Sequence, residues 1–201
     1  MKSFKLWEIT NNRNKFYNEK SQSYEMDSSE IVGWMDGKSN QLKRFQTLLD
    51  IGVKNGDSVL DFGCGIGHMV EYINDTGLKV KYTGIDTNED AIRKAKNAFI
   101  LADIMGVHPM TSSTGIIFSH GSVQDIKENY DWVVASGVFN YKFPKAEMIQ
   151  TVNGLLNHAN KGVAFNLLEE GHIINPDYVF YKKDIITHYF NNSAQIVENY
   201  G

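Results

Sequence analysis

Cysteine occurs once in the 201 residues, as Cys64, so an internal disulfide is excluded and a reducing, cytoplasmic setting is expected. No basic-then-apolar leader and no long apolar run is present, which argues against export and against insertion into a membrane. A basic excess is missing too: 20 Lys and Arg against 24 Asp and Glu give a formal charge of -4 and a pI near 5.9. That balance leaves no electrostatic footprint for tracking a phosphate backbone, so no nucleic-acid partner is expected. The six histidines, at positions 68, 108, 120, 158, 172 and 188, are dispersed without H-x-x-x-H or comparable spacing, and no metal site is expected.

What remains is an ordinary globular mixture, 42% hydrophobic and 22% charged, long enough for one α/β domain with a modest appendage. We divide it into an N-terminal helical cap or lid, residues 1–50, and a ligand-binding domain, residues 51–201. In the first part, Phe16, Tyr17, Tyr24 and Trp34 are scattered through polar residues without a clean period. Leu42, Phe45, Leu48 and Leu49 then recur at helical spacing, with Lys43, Arg44 and Gln46 assigned to the solvated faces.

Ser58 to Phe62 reads as a strand, Met69 to Ile73 as a helix stopping at Gly77, and Val80 to Ile85 as a second buried strand. Thr87 or Asn88 can cap a helix whose apolar stripe runs from Ala91 to Ala102. Further strands are expected at Ile116 to Ser119, Trp132 to Ala135, Val163 to Leu168 and, more weakly, Ala194 to Asn199; helices are expected at Lys145 to Leu156 and Lys182 to Phe190. Strands alternating with helices imply a mostly parallel sheet covered on both faces, a Rossmann-like three-layer sandwich.

The strongest signal is Val59-Leu60-Asp61-Phe62-Gly63-Cys64-Gly65-Ile66-Gly67-His68, placed between an expected strand and an expected helix. Glycines there let the chain turn sharply and let a ligand approach the backbone, while helix-end N–H groups stay free to donate. Asp86 ends the second strand at a spacing that suits an acid accepting from both ribose hydroxyls of an adenosine-containing cofactor. A nicotinamide dinucleotide would call for a third glycine where His68 stands and is awkward beside Asp61, whereas S-adenosylmethionine, carrying an ammonium and a sulfonium, suits an acid at that position. A tight turn that binds nothing is the remaining reading.

At this point the sequence resembles the class I S-adenosylmethionine-dependent methyltransferases: V-L-D-F-G-C-G-I-G is similar to their glycine motif and Y-T-G-I-D-T to their second acidic motif. Segments around Gly33-Trp34, D-W-V-V-A-S-G-V-F-N-Y and G-V-A-F-N-L-L resemble one bacterial branch with an unassigned acceptor. The resemblance implies that Gly63, Cys64, Gly65 and Gly67 form the cofactor loop, that Asp61 faces the amino group, that Asp86 and Thr87 meet the ribose, and that Ser136 and Gly137 line the site. Where the family often has an acid for the adenine, this chain has Ser122, so adenine recognition is expected to fall to Ser122 or to the Val123 backbone. The family sheet closes with a final antiparallel strand that is expected to be missing here, leaving the edge at Ala194 to Asn199 exposed, rearranged or paired in a homodimer.

Methyl transfer needs chiefly orientation of donor and acceptor, because the cofactor carries the reactive group. His68 is a candidate base; Asn140 and Tyr141 are candidate acceptor contacts; Tyr17 and Tyr24 are candidates for a lid. Arg44 could reach the cofactor carboxylate, though a solvated face suits it better. The expected function is methyl transfer to a small-molecule acceptor; the alternative is a non-catalytic or truncated S-adenosylmethionine-binding partner subunit, and a nicotinamide oxidoreductase is a third.

Overall fold

The computed structural model describes residues 37–104, 115–170, 178–190 and 194–198. Most of the expected cap, with Tyr17, Tyr24 and Gly33-Trp34, therefore lies outside the described residues. The described chain runs α1 (Gly37–Leu49), β1 (Ser58–Phe62), α2 (His68–Asp75), β2 (Lys81–Asp86), α3 (Glu89–Ile104), β3 (Ile116–His120), a 3-10 turn (Val123–Asp125), β4 (Tyr130–Ala135), α4 (Lys145–Leu156), β5 (Ala159–Phe165), β6 (Leu168–Glu169), β7 (Phe180–Tyr181) and α5 (Lys183–Phe190).

Five strands form one sheet in the order β3-β2-β1-β4-β5, and every pairing in it is parallel. Alternation along the strands sends side chains to two separate cores. Val59 of β1, Tyr82 of β2 and Val134 of β4 pack with Phe45 and Leu48 of α1, Met69 and Ile73 of α2 and Ile92 and Phe99 of α3. Leu60 and Phe62, Ile85, and Val133 and Ala135 face the other way, onto Met148, Val152 and Leu155 of α4 and Ile186 of α5. The three-layer Rossmann-like arrangement read from the sequence is the one observed.

Asn88 rather than Thr87 caps α3, its Oδ1 accepting from the Asp90 and Ala91 amides at 3.1 and 3.3 Å. The fifth strand begins four residues before the expected Val163 and ends at Phe165. Its first half, Ala159-Asn160-Lys161-Gly162, is polar and partly exposed, and it pairs with β4 through an irregular register between Tyr130 and Trp132.

The expected strand at Ala194 to Asn199 is not formed: residues 194–198 have no regular structure, and Asn199 lies outside the described residues. The physical reason is exposure. Ala194, Gln195, Val197 and Glu198 all face solvent, so the segment has no face to bury, and Glu198 is drawn instead into an ion pair with Lys183. Among the described residues nothing pairs with the outer edge of β5.

A feature absent from the sequence reading is the small parallel pair β6–β7, joined by Leu168 against Phe180 and Glu169 against Tyr181. Beside it an antiparallel bridge links Tyr141 to Tyr178. The Val179 amide donates to the Asn140 carbonyl at 2.7 Å, and the Tyr181 hydroxyl donates to the carbonyls of Phe139 and Phe143 at 3.0 and 3.3 Å. A segment of chain near residue 180 thus straps down the loop that follows β4.

Candidate functional site

The carboxyl ends of β1, β2 and β4 and the loops leaving them converge on one crevice, the place where an open parallel sheet with reversing strand order binds its ligands. After β1 the chain turns upward through Gly63 (φ 77°), Gly65 (φ 55°) and Gly67 (φ 92°) before α2 begins at His68. Gly63 and Cys64 both donate to the Ile85 carbonyl, at 2.7 and 3.2 Å, which pins the loop to the end of β2. A Cβ on Gly63 would stand 2.4 Å from Val138 Cγ2, so the loops after β1 and β4 can close on each other only because that position is bare.

Asp86 faces this loop. Its Oδ2 accepts the Gly65 amide at 2.8 Å and its Oδ1 accepts the Asn88 amide at 2.8 Å, fixing the carboxylate across the glycine turn. The Thr87 carbonyl lies 3.2 Å from His120 Nε2, and the Asp86 carbonyl accepts the Gly121 amide at 2.9 Å, tying the end of β2 to the end of β3.

Asp61 lies beneath the loop on the helix-rich face and is only 2% exposed. The Tyr82 hydroxyl donates to its Oδ2 at 2.6 Å. Burial pushes its carboxyl up to about 7, the nearby Asp86 charge adds to the rise, and the Tyr82 hydrogen bond works against it. The same burial lifts the Tyr82 hydroxyl and the Cys64 thiol well above their ordinary values. Cys64 is therefore a small buried thiol, with its Sγ 3.7 Å from the Gly65 carbonyl, and has none of the thiolate character a nucleophile needs.

Ser122 sits at the end of β3, where its amide and hydroxyl both donate to Asp125 Oδ2 at 2.8 Å and the hydroxyl also approaches Gln124 Oε1 at 2.8 Å. These bonds form a capping box at the head of the turn that starts with Val123. The hydroxyl hydrogen is thus already engaged, and a carboxylate that sequence reading passed over, Asp125, is folded back to this position with its acidity strengthened by the Ser122 donors.

Beyond β4, Gly137 adopts φ 73° and donates its amide to Asn166 Oδ1 at 2.7 Å. Among the described residues Ser136 Oγ and Asn140 Oδ1 are buried without a hydrogen-bond partner, and Asn140 as a whole is 6% exposed. Tyr141 is buried against Tyr178, ring centroids 5.8 Å apart and nearly perpendicular. His68 is held from the opposite side, its Nδ1 3.2 Å from Gln41 Nε2 of α1.

Arg44 corrects an expectation: it is not on a solvated face but buried, at 7% exposure, as is Gln41 at 4%. Positions 41, 44, 45 and 48 follow the three-and-four spacing of one helix face, so both polar residues share the stripe of Phe45 and Leu48. Asn166, also buried, was likewise missed; its signal was a lone amide directly after a strand, at the sheet end where ligands sit.

The profile of one family, described as a methyltransferase domain, matches residues 60–162, just over half of the chain and the stretch from β1 into β5. The chain belongs to the methyltransferase-domain family. The methyltransferase domain is 29% identical over 117 residues to Rv1506c of Mycobacterium tuberculosis, a protein whose name assigns it to the methyltransferases; the match covers 55% of this chain and 63% of that one. It is 29% identical over 91 residues to a trans-aconitate 2-methyltransferase of Escherichia coli, covering 43% of this chain and 36% of that one. The chain thus spans less than two thirds of the length of these curated relatives.

In fold the methyltransferase domain is similar to the magnesium protoporphyrin IX methyltransferase of Synechocystis PCC 6803. Against the structure with bound S-adenosylmethionine the TM-score is 0.66 at 16% identity, covering 90% of this chain and 81% of that one. Against the form with bound S-adenosylhomocysteine it is 0.68 at 14%, covering 90% and 85%. At such identities the likeness is one of architecture. Among the described residues no group of three or more His, Cys, Asp or Glu could hold a metal ion, and no helix is long and apolar enough to cross a membrane.

Proposed function

We propose that this methyltransferase domain binds S-adenosylmethionine in the crevice above β1, β2 and β4 and methylates a small-molecule acceptor held at the end of β4. The observation that carries the reading is Asp86, whose carboxylate is clamped over the glycine turn by the Gly65 and Asn88 amides and so faces the place where a ribose would lie. Polar atoms that the fold leaves buried and unbonded, Ser136 Oγ and Asn140 Oδ1, fit a polar ligand in the same crevice. When bound, the cofactor supplies an electrophilic methyl group on a sulfonium.

This chain's own residues orient and exclude water. Asp86 accepts from the ribose hydroxyls, Gly63, Gly65 and Gly67 allow close approach of the backbone, and Asp61 supplies negative charge beneath the amino group. Thr87 flanks the ribose, while Ser122 and Val123 border the adenine, with Asp125 as the acid nearest to them. Buried Arg44 supplies positive charge for the cofactor carboxylate. Asn140 and Tyr141 contact the acceptor, and His68, at the head of α2, is the base for an acceptor that must lose a proton.

Calorimetric titration with S-adenosylhomocysteine tests the site. Asp86→Ala should weaken binding by roughly 1–3 kcal/mol through loss of two charge-assisted hydrogen bonds. Unchanged affinity, or tighter binding of NAD than of S-adenosylmethionine, overturns the reading. Transfer of a radiolabelled methyl group into small-molecule fractions of an extract tests the acceptor class, and label appearing only in RNA or protein counts against it.

A further inference from the structure

Asp61 and Tyr82 form a buried pair beneath the crevice. The carboxyl is 2% exposed and the phenol is fully buried, and they meet in a 2.6 Å hydrogen bond between adjacent strands directly under the glycine loop. The titratable groups acting on Asp61 are Tyr82 from β2, Asp86 at the tip of β2 and Cys64 in the loop, and none of these is a cation. Its β4 neighbour in register is Val134; the α1 and α2 faces on this core carry Phe45, Leu48, Met69 and Ile73 together with the buried Gln41 and Arg44 and with His68, and neither Arg44 nor His68 is among the groups that shift Asp61. A carboxyl so placed holds its proton near neutrality until a positive charge arrives. The Tyr82 ring cannot drift away, because it packs edge-on against Phe118 with centroids 5.9 Å apart.

We propose that Tyr82 is a positioning residue for the cofactor: its hydroxyl fixes the buried Asp61 carboxyl, which gives up one proton to solvent when the methionine ammonium arrives, so that cofactor binding is coupled to proton release. The inference rests on the reading of the crevice as an S-adenosylmethionine site. The balance is simple. The neutral carboxyl loses its proton to bulk water, the ammonium keeps all of its own, and the resulting carboxylate faces the ammonium while still accepting from Tyr82. Cofactor affinity then depends on pH in the neutral range through Asp61.

The test is calorimetry of the full chain with S-adenosylhomocysteine at pH 6.5, in buffers of different ionisation heat, so that released protons are counted directly. The wild type should release roughly three quarters of a proton, and its affinity should rise by up to about tenfold per pH unit below pH 6.5 and level off above pH 8. Asp61→Asn should abolish the release. Tyr82→Phe, by removing the donor that favours the ionised carboxyl, should move the midpoint of the pH profile upward, whereas a linkage arising at His68 would leave that midpoint in place and overturn the assignment. 5′-Methylthioadenosine, which lacks the ammonium, should bind without proton release. Binding of S-adenosylhomocysteine with no proton released overturns this inference alone; absence of binding at every pH overturns the underlying site as well. The wild-type proton count stands even if Tyr82→Phe fails to fold.

Discussion

Asn166 Oδ1 accepts the Gly137 amide at 2.7 Å, joining the end of β5 to the loop that leaves β4. Gly137 is in a left-handed conformation, so its N–H points away from any ladder and needs a side-chain partner. Asn166→Ala strands that donor in a half-buried place, and we expect a loss of about 1–3 kcal/mol in urea unfolding. Asn166→Asp keeps the acceptor and should recover much of the loss.

Gly63→Ala tests the closure of the two loops. An added methyl group meets Val138 Cγ2 at 2.4 Å on a backbone with φ 77°, so strain and overlap act together. We expect destabilisation of at least roughly 1–3 kcal/mol in thermal unfolding. Val138→Ala in the same chain should restore part of it by relieving the overlap but not the strain.

At the opposite end of the sheet, Lys161 Nζ lies 2.6 Å from Asp57 Oδ1 and 3.2 Å from Asp131 Oδ1, and Trp132 Nε1 donates to Asp57 at 2.9 Å. Hydrogen bonding to Lys161 holds the Asp57 carboxyl below its ordinary range, and the Ser58 amide does the same for Asp131. Depressed carboxyls contribute stability that is present above about pH 3.9, their unfolded value, and is lost as pH falls through the folded values. Lys161, raised by the same partners, contributes stability that is fully present below its unfolded value and is lost as pH rises through its folded one. Lys161→Met should therefore move the acid-unfolding midpoint upward, and 1 M salt should shrink the difference, as screening of a half-exposed pair requires.

Asp61 acts in the reverse sense. With the folded carboxyl pushed up to about 7, the folded state holds a proton that the unfolded chain has released, so stability declines as pH rises from about 4 to about 7 and is level above. Asp61→Asn removes the titrating group. Its urea midpoint should be flatter than that of the wild type between pH 5 and 8, with the variant gaining relative stability at the alkaline end.

Much of this was legible in the residues. The strand, glycine loop, helix and acid of the first βαβ unit announce themselves by apolar runs and by glycines at turns, and α4 was bounded correctly at both ends. β5 was misplaced because its first half carries Asn160 and Lys161 on an edge, where pairing to the chain alone and an ion pair, not apolarity, keep them extended. β6 and β7 escaped because two-residue strands have no periodicity to detect. Polarity places Arg44 on a solvated face although helical spacing sets it with Phe45 and Leu48; Gln41 on the same stripe and Asn166 after β5 carry no motif that singles them out. Asp61 was assigned to the cofactor amino group from its place in the motif; that Tyr82 meets it depends on strand register, which no local pattern reveals.

β1, the first of the described strands, lies in the middle of the sheet, between β2 and β4. Its partner Trp132 lies 73 residues beyond Val59, so a nascent chain that has emerged only as far as β3 presents one side of its central strand unpaired. Closing that gap is a non-local step, and it sets the interval during translation in which the half-made domain is most open to wrong pairing with another chain.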